Sequence, residues 1–186
     1  MYIFNNPGAE NTDKVIELAV EKAELYGIKT IIAATGSGKT AFKLAESTAG
    51  RGIKIVAVTH CTGFLKPDFQ ELTESNREKL NSIGVKVVTG THALGTVGRA
   101  VRRKYGTYEI DEIIANSLRI FGQGVKVAVE ISMMAADAGA VNTTELAIAI
   151  GGSEEGADCA VILKPDNTHN FFDIKVNEII CKPKLF

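Results

Sequence analysis

The 186-residue sequence has no tryptophan, 4 prolines and 3 cysteines, and aromatic residues make up 6% of it. The cysteines, Cys61, Cys159 and Cys181, form no CxxC pair. An odd count without paired spacing excludes a disulfide framework and a structural zinc site, and fits reduced thiols in a cytoplasmic protein. Charge of one sign is also lacking: 21 Lys and Arg stand against 22 Asp and Glu, a net charge of -1. A nucleic-acid-binding chain ordinarily carries a basic excess, so no nucleic-acid partner is expected. No apolar run reaches the roughly 18 residues of a membrane helix. The start, MYIFNNPGAENTD, has neither the basic stretch nor the long apolar stretch of a secretion signal. The expectation is a cytoplasmic chain with no membrane partner.

Core material is plentiful. Hydrophobic residues are 45% and charged residues 23% of the chain, the balance of a globular domain. The length suits one domain, and no repeat or linker divides residues 1–186. Thr12 can cap a first helix in which Val15, Ile16, Ala19, Ala23 and Tyr26 recur at helical spacing, with Gly27 as its stop. Short apolar runs predict strands at 28–34, 53–59, 85–89, 125–131, 146–150, 159–163 and 172–180. Between them, helices are predicted over 39–49, 67–83 and 108–121, with shorter helical pieces within 90–106 and 132–138. This alternation predicts a three-layer α/β/α sandwich with a mostly parallel sheet. The last two strands have no helix between them and predict a C-terminal antiparallel hairpin.

The strongest chemical signal is Thr35-Gly36-Ser37-Gly38-Lys39-Thr40, between a predicted strand and a predicted helix. Glycines allow a tight turn and close approach of backbone N–H groups to an anion. The helix that follows offers unpaired N–H donors and the positive end of its dipole. The hydroxyls of Thr35, Ser37 and Thr40 and the charge of Lys39 complete a loop suited to a phosphate group. Ala33 to Thr40 also approaches a Walker A string, with Ala33 in place of its first glycine. A Walker-type nucleotide hydrolase or kinase needs a carboxylate near magnesium at the end of another strand. Glu130, closing Val125 to Val129, is the acidic candidate at such a place.

The run from Ile31 to Thr59, a strand, TGSGKT, a helix and IKIVAVT, resembles the C-terminal domain of pyruvate kinase. In that domain a Ser/Thr-x-Ser-Gly-x-Ser/Thr loop follows a strand, and the next strand ends in Ala-Val-Thr. In some pyruvate kinases this loop holds a sugar phosphate of the allosteric activator. CAVILKP and FFDIKVNEII are similar to the final hairpin of the same domain. The middle differs: GTHALG and EISMMAADAG, with AIAIGG, resemble a small stand-alone archaeal family that shares the fold. That family is enzymatically uncharacterised and is associated with bound flavin mononucleotide (FMN). The resemblance therefore implies the three-layer fold and an FMN site. It implies no action on pyruvate, because the catalytic barrel has no counterpart here. Self-association is compatible with it, since the related domain often lies at subunit contacts.

On this reading the FMN phosphate lies on Thr35 to Thr40. Ligands of open α/β sheets sit beyond the carboxyl ends of the strands, which is where Thr59, His60, Gly63, Phe64, Thr91 and His92 fall. Met133 and Met134 follow the predicted fourth strand, and methionine packs well on flat rings. Asp137 could bond ribityl hydroxyls or cap a turn. His60 and His92 could bond the ligand, act as acid or base, or be structural. No carboxylate shares their motifs, so no metal site is expected. His169 reads as surface, Cys61 as no nucleophile, and Arg99, Arg102, Arg103 and Lys104 as a solvated helix face. No complete acid–base–nucleophile set is present, so no catalytic residue is assigned. A non-catalytic sensor of a phosphorylated metabolite stays open beside the flavin and nucleotide readings.

Overall fold

Short runs of β-branched residues and alanine form the strands of the computed structural model, which describes residues 1–184. These are β1 (Tyr2–Phe4), β2 (Thr30–Ala34), β3 (Lys54–Thr59), β4 (Lys86–Thr89), β5 (Ala147–Gly151), β6 (Cys159–Lys164) and β7 (Lys175–Pro183). The helices are α1 (Thr12–Tyr26), α2 (Lys39–Thr48), α3 (Glu74–Ser82), α4 (Val97–Tyr105), α5 (Ile110–Arg119) and α6 (Gln123–Asp137). One sheet takes all the strands in the order β1-β7-β6-β5-β2-β3-β4. Pairs β2–β3, β3–β4, β2–β5 and β1–β7 are parallel. Pairs β5–β6 and β6–β7 are antiparallel.

The period of two sends alternate residues of each strand to opposite faces. Ile31, Ala33, Ile55, Ala57, Ile148 and Ile150 face α1, α2 and α3 through Val15, Ile16, Ala19, Leu44 and Leu80. Ile32, Val56, Val58, Ala149 and Val161 face α6 through Val125, Ala128, Ile131, Met134 and Ala135. On the outer side of α6, Val129 and Met133 pack with Ala115 of α5 and with Leu94. The α/β/α layering is thus as the sequence predicts, and no helix among the described residues is long and apolar enough to cross a membrane.

One predicted strand is a helix. Val125–Ile131 is not the fourth strand but the first half of α6. Gly122, just past the helix predicted over 108–121, is the N-cap of this one. The segment is covered on both sides, so apart from the buried Lys126 and Glu130 its residues are apolar on every face and alternation in it does not separate strand from helix. Burying each Val, Ile or Met contributes roughly 1.5–3 kcal/mol, well above the helix-propensity deficit of valine of under about 0.7 kcal/mol. Gly124 lets the helix approach the sheet: a Cβ there would lie 2.4 Å from Cβ of Cys159.

Three smaller differences follow from local chemistry. The helix predicted over 67–83 starts only at Glu74, because the Thr73 side chain accepts a hydrogen bond from the Asn76 N–H at 3.2 Å and caps it there. The last strand starts at Lys175 rather than Phe172, after a 3-10 turn over Thr168–Asp173. The predicted C-terminal hairpin is present as β6–β7, but β7 also pairs with β1, a short strand without a periodic signal.

Candidate functional site

β2 lies between β3 and β5, and the chain leaves it toward β3 and returns at β5 only after α6. Such a reversal opens a crevice beyond the carboxyl ends of the two central strands. A cavity of about 620 Å³ lies there, within the range of small-molecule sites. Its walls come from the β2–α2 loop, the β3–α3 loop, His92 and Arg99, the inner face of α6, and the β5–β6 loop.

The β2–α2 loop forms the first wall. The Thr35 N–H is held by the Val58 carbonyl at 2.9 Å. The Thr35 hydroxyl accepts the Gly38 N–H at 3.1 Å. Gly38 turns the chain into α2 at φ 100°, where side chains are strained, and a Cβ there would lie 3.0 Å from the Leu72 side chain and 3.3 Å from Phe42. From α3, the Asn76 amide donates to the Ser37 carbonyl at 3.0 Å and fixes the loop from outside. Among the described residues, the N–H groups of Gly36, Ser37, Lys39, Thr40 and Ala41 meet no acceptor of the chain. Unpaired donors at a helix start, with the helix dipole behind them, form an anion-binding arrangement. Lys39 and Lys43 line the same wall, Lys43 also pairing with Asp13 at 2.6 Å.

Planar side chains form the second wall. The rings of His60 and Phe64 stack at 4.2 Å, with His92 at 4.9 Å from Phe64 and 5.4 Å from His60. The Arg99 guanidinium lies 5.5 Å from the Phe64 ring, a cation–π distance. Nδ1 of His60 bonds Oε2 of Glu71 at 2.5 Å. Nε2 of His92 accepts the Cys61 N–H at 3.3 Å, so its ring proton sits on Nδ1. Burial pushes the pKa of His92 below the usual histidine value, against the pull of Glu130.

The floor is α6. Lys126 and Glu130, one turn apart, form a buried ion pair, and Glu130 Oε1 accepts the Leu94 N–H at 2.9 Å. Burial pushes the lysine pKa down while Glu130 pulls it up. The β5–β6 loop closes the far side. The Thr12 hydroxyl accepts the Ala157 N–H at 3.0 Å, and Asp158 Oδ2 accepts N–H bonds from Gly8 and Ser153 at 3.1 and 3.2 Å. Glu154 and Glu155 of that loop line the cavity.

The structure brings together Thr35, Gly36, Ser37, Lys39, Thr40, Thr59, His60, Phe64, His92 and Met134 around the cavity. Gly38, within the same Thr35–Thr40 loop, does not line the cavity. Other predicted positions lie elsewhere. Met133 points to the opposite side of α6 and is buried among Leu94, Ala115 and Val129. Asp137 accepts bonds from Asn167 and Thr168 and anchors the β6–β7 connection. Thr91 and Gly63 are exposed outside the cavity wall, Gly63 closing a turn with Phe69. Glu130 lies within a helix, not at a strand end, because 125–131 is α6. Arg99 lines the cavity, unlike the solvated face expected from its basic neighbours.

Sequence reasoning missed Glu71 and the Ser153–Gly156 turn. Glu71 stands in a polar stretch without periodic signal, and only the fold places it against His60. The glycines at 151 and 152 were a usable signal: a Cβ on Gly151 would lie 2.3 Å from the Gly124 carbonyl. That contact shows how tightly β5 meets α6 at the cavity.

Residues 13–163 match the family described as "Pyruvate kinase, alpha/beta domain". Two crystal structures of pyruvate kinase from Cryptosporidium parvum align over 87% of this chain at 17% identity. They cover 23% and 24% of those chains, with TM-scores of 0.42 and 0.43. A third, of the Cryptosporidium parvum enzyme in complex with ADP, aligns over 86% of this chain and 24% of its own at 19% identity and a TM-score of 0.40. The chain spans about a quarter of the length of these enzymes.

Proposed function

The chain belongs to the pyruvate kinase alpha/beta domain family, and from that premise we propose that it binds a phosphorylated small molecule, FMN foremost, in the cavity at the ends of β2 and β5. One observation carries the reading: the unpaired N–H groups of the Thr35–Thr40 loop open into a cavity whose adjoining wall is built of planar side chains. A phosphate needs the donors and a flat heterocycle needs the rings. The residues fit FMN in both respects. Gly36, Ser37, Lys39 and Thr40 would hold its phosphate. Phe64, His92 and Met134, with Val127 and Ile131 of α6, would flank its ring system. Bound FMN would supply redox chemistry at its isoalloxazine ring, and a flavin-dependent oxidoreductase is the activity this reading leads to. The nucleotide-hydrolase alternative has weaker support, because Glu130, its candidate magnesium carboxylate, is already engaged by Lys126 and the Leu94 N–H.

The test is a visible spectrum of the purified protein after adding FMN and dialysing. The expected result is a retained flavin band in the unaltered protein. Ser37→Asp, which sets a carboxylate among the anion donors, weakens FMN binding by roughly tenfold or more, a loss of about 1.4 kcal/mol. At 100 times the dissociation constant FMN should add about 2.7 kcal/mol of stability. No retained band and no rise in Tm with FMN would overturn the flavin assignment. Stabilisation by sugar phosphates, without turnover, would move the reading to a metabolite sensor using the same loop.

A further inference from the structure

We propose that His60 is a proton-coupled anion contact: when a phosphate dianion docks on the Thr35–Thr40 loop, His60 takes up a proton and donates Nε2–H to the ligand and Nδ1–H to Glu71. This rests on the phosphate-binding reading and specifies how the same cavity tolerates its own carboxylate.

The geometry sets the problem and its answer. Glu71 Oε1 lies 3.0 Å from where a Cβ of Gly36 would stand, so this carboxylate packs on the phosphate loop itself. A dianion on the loop is thereby placed beside a negative charge. The other oxygen of Glu71 bonds His60 Nδ1 at 2.5 Å. Nε2 of His60 has no partner in the chain among the described residues, and the ring lines the cavity. A proton on His60 cancels the charge of Glu71 and gives the ligand a charge-assisted donor. Histidine is the side chain suited to such a change near neutral pH. The backbone of His60 is held for this task, its carbonyl accepting the Thr59 hydroxyl at 2.9 Å and the Gln70 amide at 3.1 Å. Its stacking on Phe64 at 4.2 Å holds the ring in the cavity wall.

The charges around His60 come from every wall. Glu71, from its own loop, and Glu130, on α6, favour the imidazolium, as do Glu154 and Glu155 across the cavity. Lys39 on α2, Arg99 on α4 and Lys126 on α6 oppose it. Lys126 is tied to Glu130, and Lys43 to Asp13. His92 is the other nearby titratable ring, but its Nε2 is spent accepting the Cys61 N–H, which requires the neutral form. The anion itself tips the balance toward the protonated His60.

The test is titration calorimetry with FMN in two buffers of different ionisation enthalpy, between about pH 7 and pH 8.5. A phosphomonoester is a dianion throughout, its second ionisation lying at about 6, so any proton taken up goes to the protein. We expect net proton uptake on binding, and a Kd that weakens by up to about tenfold per pH unit. His60→Gln should bind FMN without uptake and with a flat pH profile. Glu71→Gln keeps the histidine but removes the carboxylate that needs neutralising, so its uptake falls and it binds more tightly than the unaltered protein at the top of the pH range. FMN binding without proton uptake, or the same uptake in His60→Gln, would overturn the inference and leave the phosphate site standing. No binding at any pH would overturn both.

Discussion

The buried pair Lys126–Glu130 offers the sharpest test of the energetics. Its side chains are 5% and 8% exposed, so neither charge is solvated once its partner is gone. Glu130→Gln keeps an oxygen that can accept the Leu94 N–H but leaves the lysine without a counter-charge. Breaking a buried pair in this way costs about 3–5 kcal/mol, or roughly 6–20 °C in Tm for a chain of this size. The double variant Lys126→Met, Glu130→Gln removes both charges and keeps the bond to Leu94. Replacing a buried pair by uncharged groups is often neutral or stabilising, so the double variant should recover most of the loss. The sign of the pH dependence follows from the lysine. Its folded pKa already lies below the ordinary value of 10.5, and loss of the carboxylate lowers it further. The unfolded chain then binds the extra proton, so the stability of Glu130→Gln rises with pH through the window below about 10.5. Urea unfolding at several pH values measures all of this. A Glu130→Gln protein within about 0.5 kcal/mol of the unaltered one, or a double variant as weak as the single, would refute the reasoning.

Three further outcomes are expected. His92 is held neutral by burial, so stability should be complete above about pH 6.5 and drain away as the pH falls through its lowered folded value; His92→Gln, which can still accept the Cys61 N–H, should flatten that segment of a urea-midpoint profile. Gly124→Ala drives a Cβ to 2.4 Å from Cβ of Cys159, and the overpacking should cost about 1–3 kcal/mol in chemical denaturation. Gly36→Ala meets Glu71 Oε1 at 3.0 Å; it should change stability by less than about 1 kcal/mol while displacing Glu71 from His60, which an NMR titration of the His60 ring would register.

The sequence by itself determined the α/β layering, the strands at β2, β3, β4, β5 and β6, and the position of the glycine-rich Thr35–Thr40 loop between strand and helix. Each rests on information local to a few residues: short apolar runs, a glycine-rich turn, and a strand-to-helix junction that leaves donors unpaired whatever surrounds it. Thr35 to Thr40 could be read that way because the loop's chemistry lies in consecutive positions. The tertiary structure alone decided the rest. Val125–Ile131 is a helix packed on both sides, so apolar residues fall on every face and the periodicity that separates helix from strand is lost. That one change turns Met133 away from the cavity, keeps Met134 in it, and moves Glu130 from a strand end into a buried pair with Lys126. Glu71, Arg99 and the Ser153–Gly156 turn reach the site from polar stretches far apart in the chain. Their roles depend on distances of a few ångströms set by how α6 and the loops close on the sheet, and no local pattern encodes such distances.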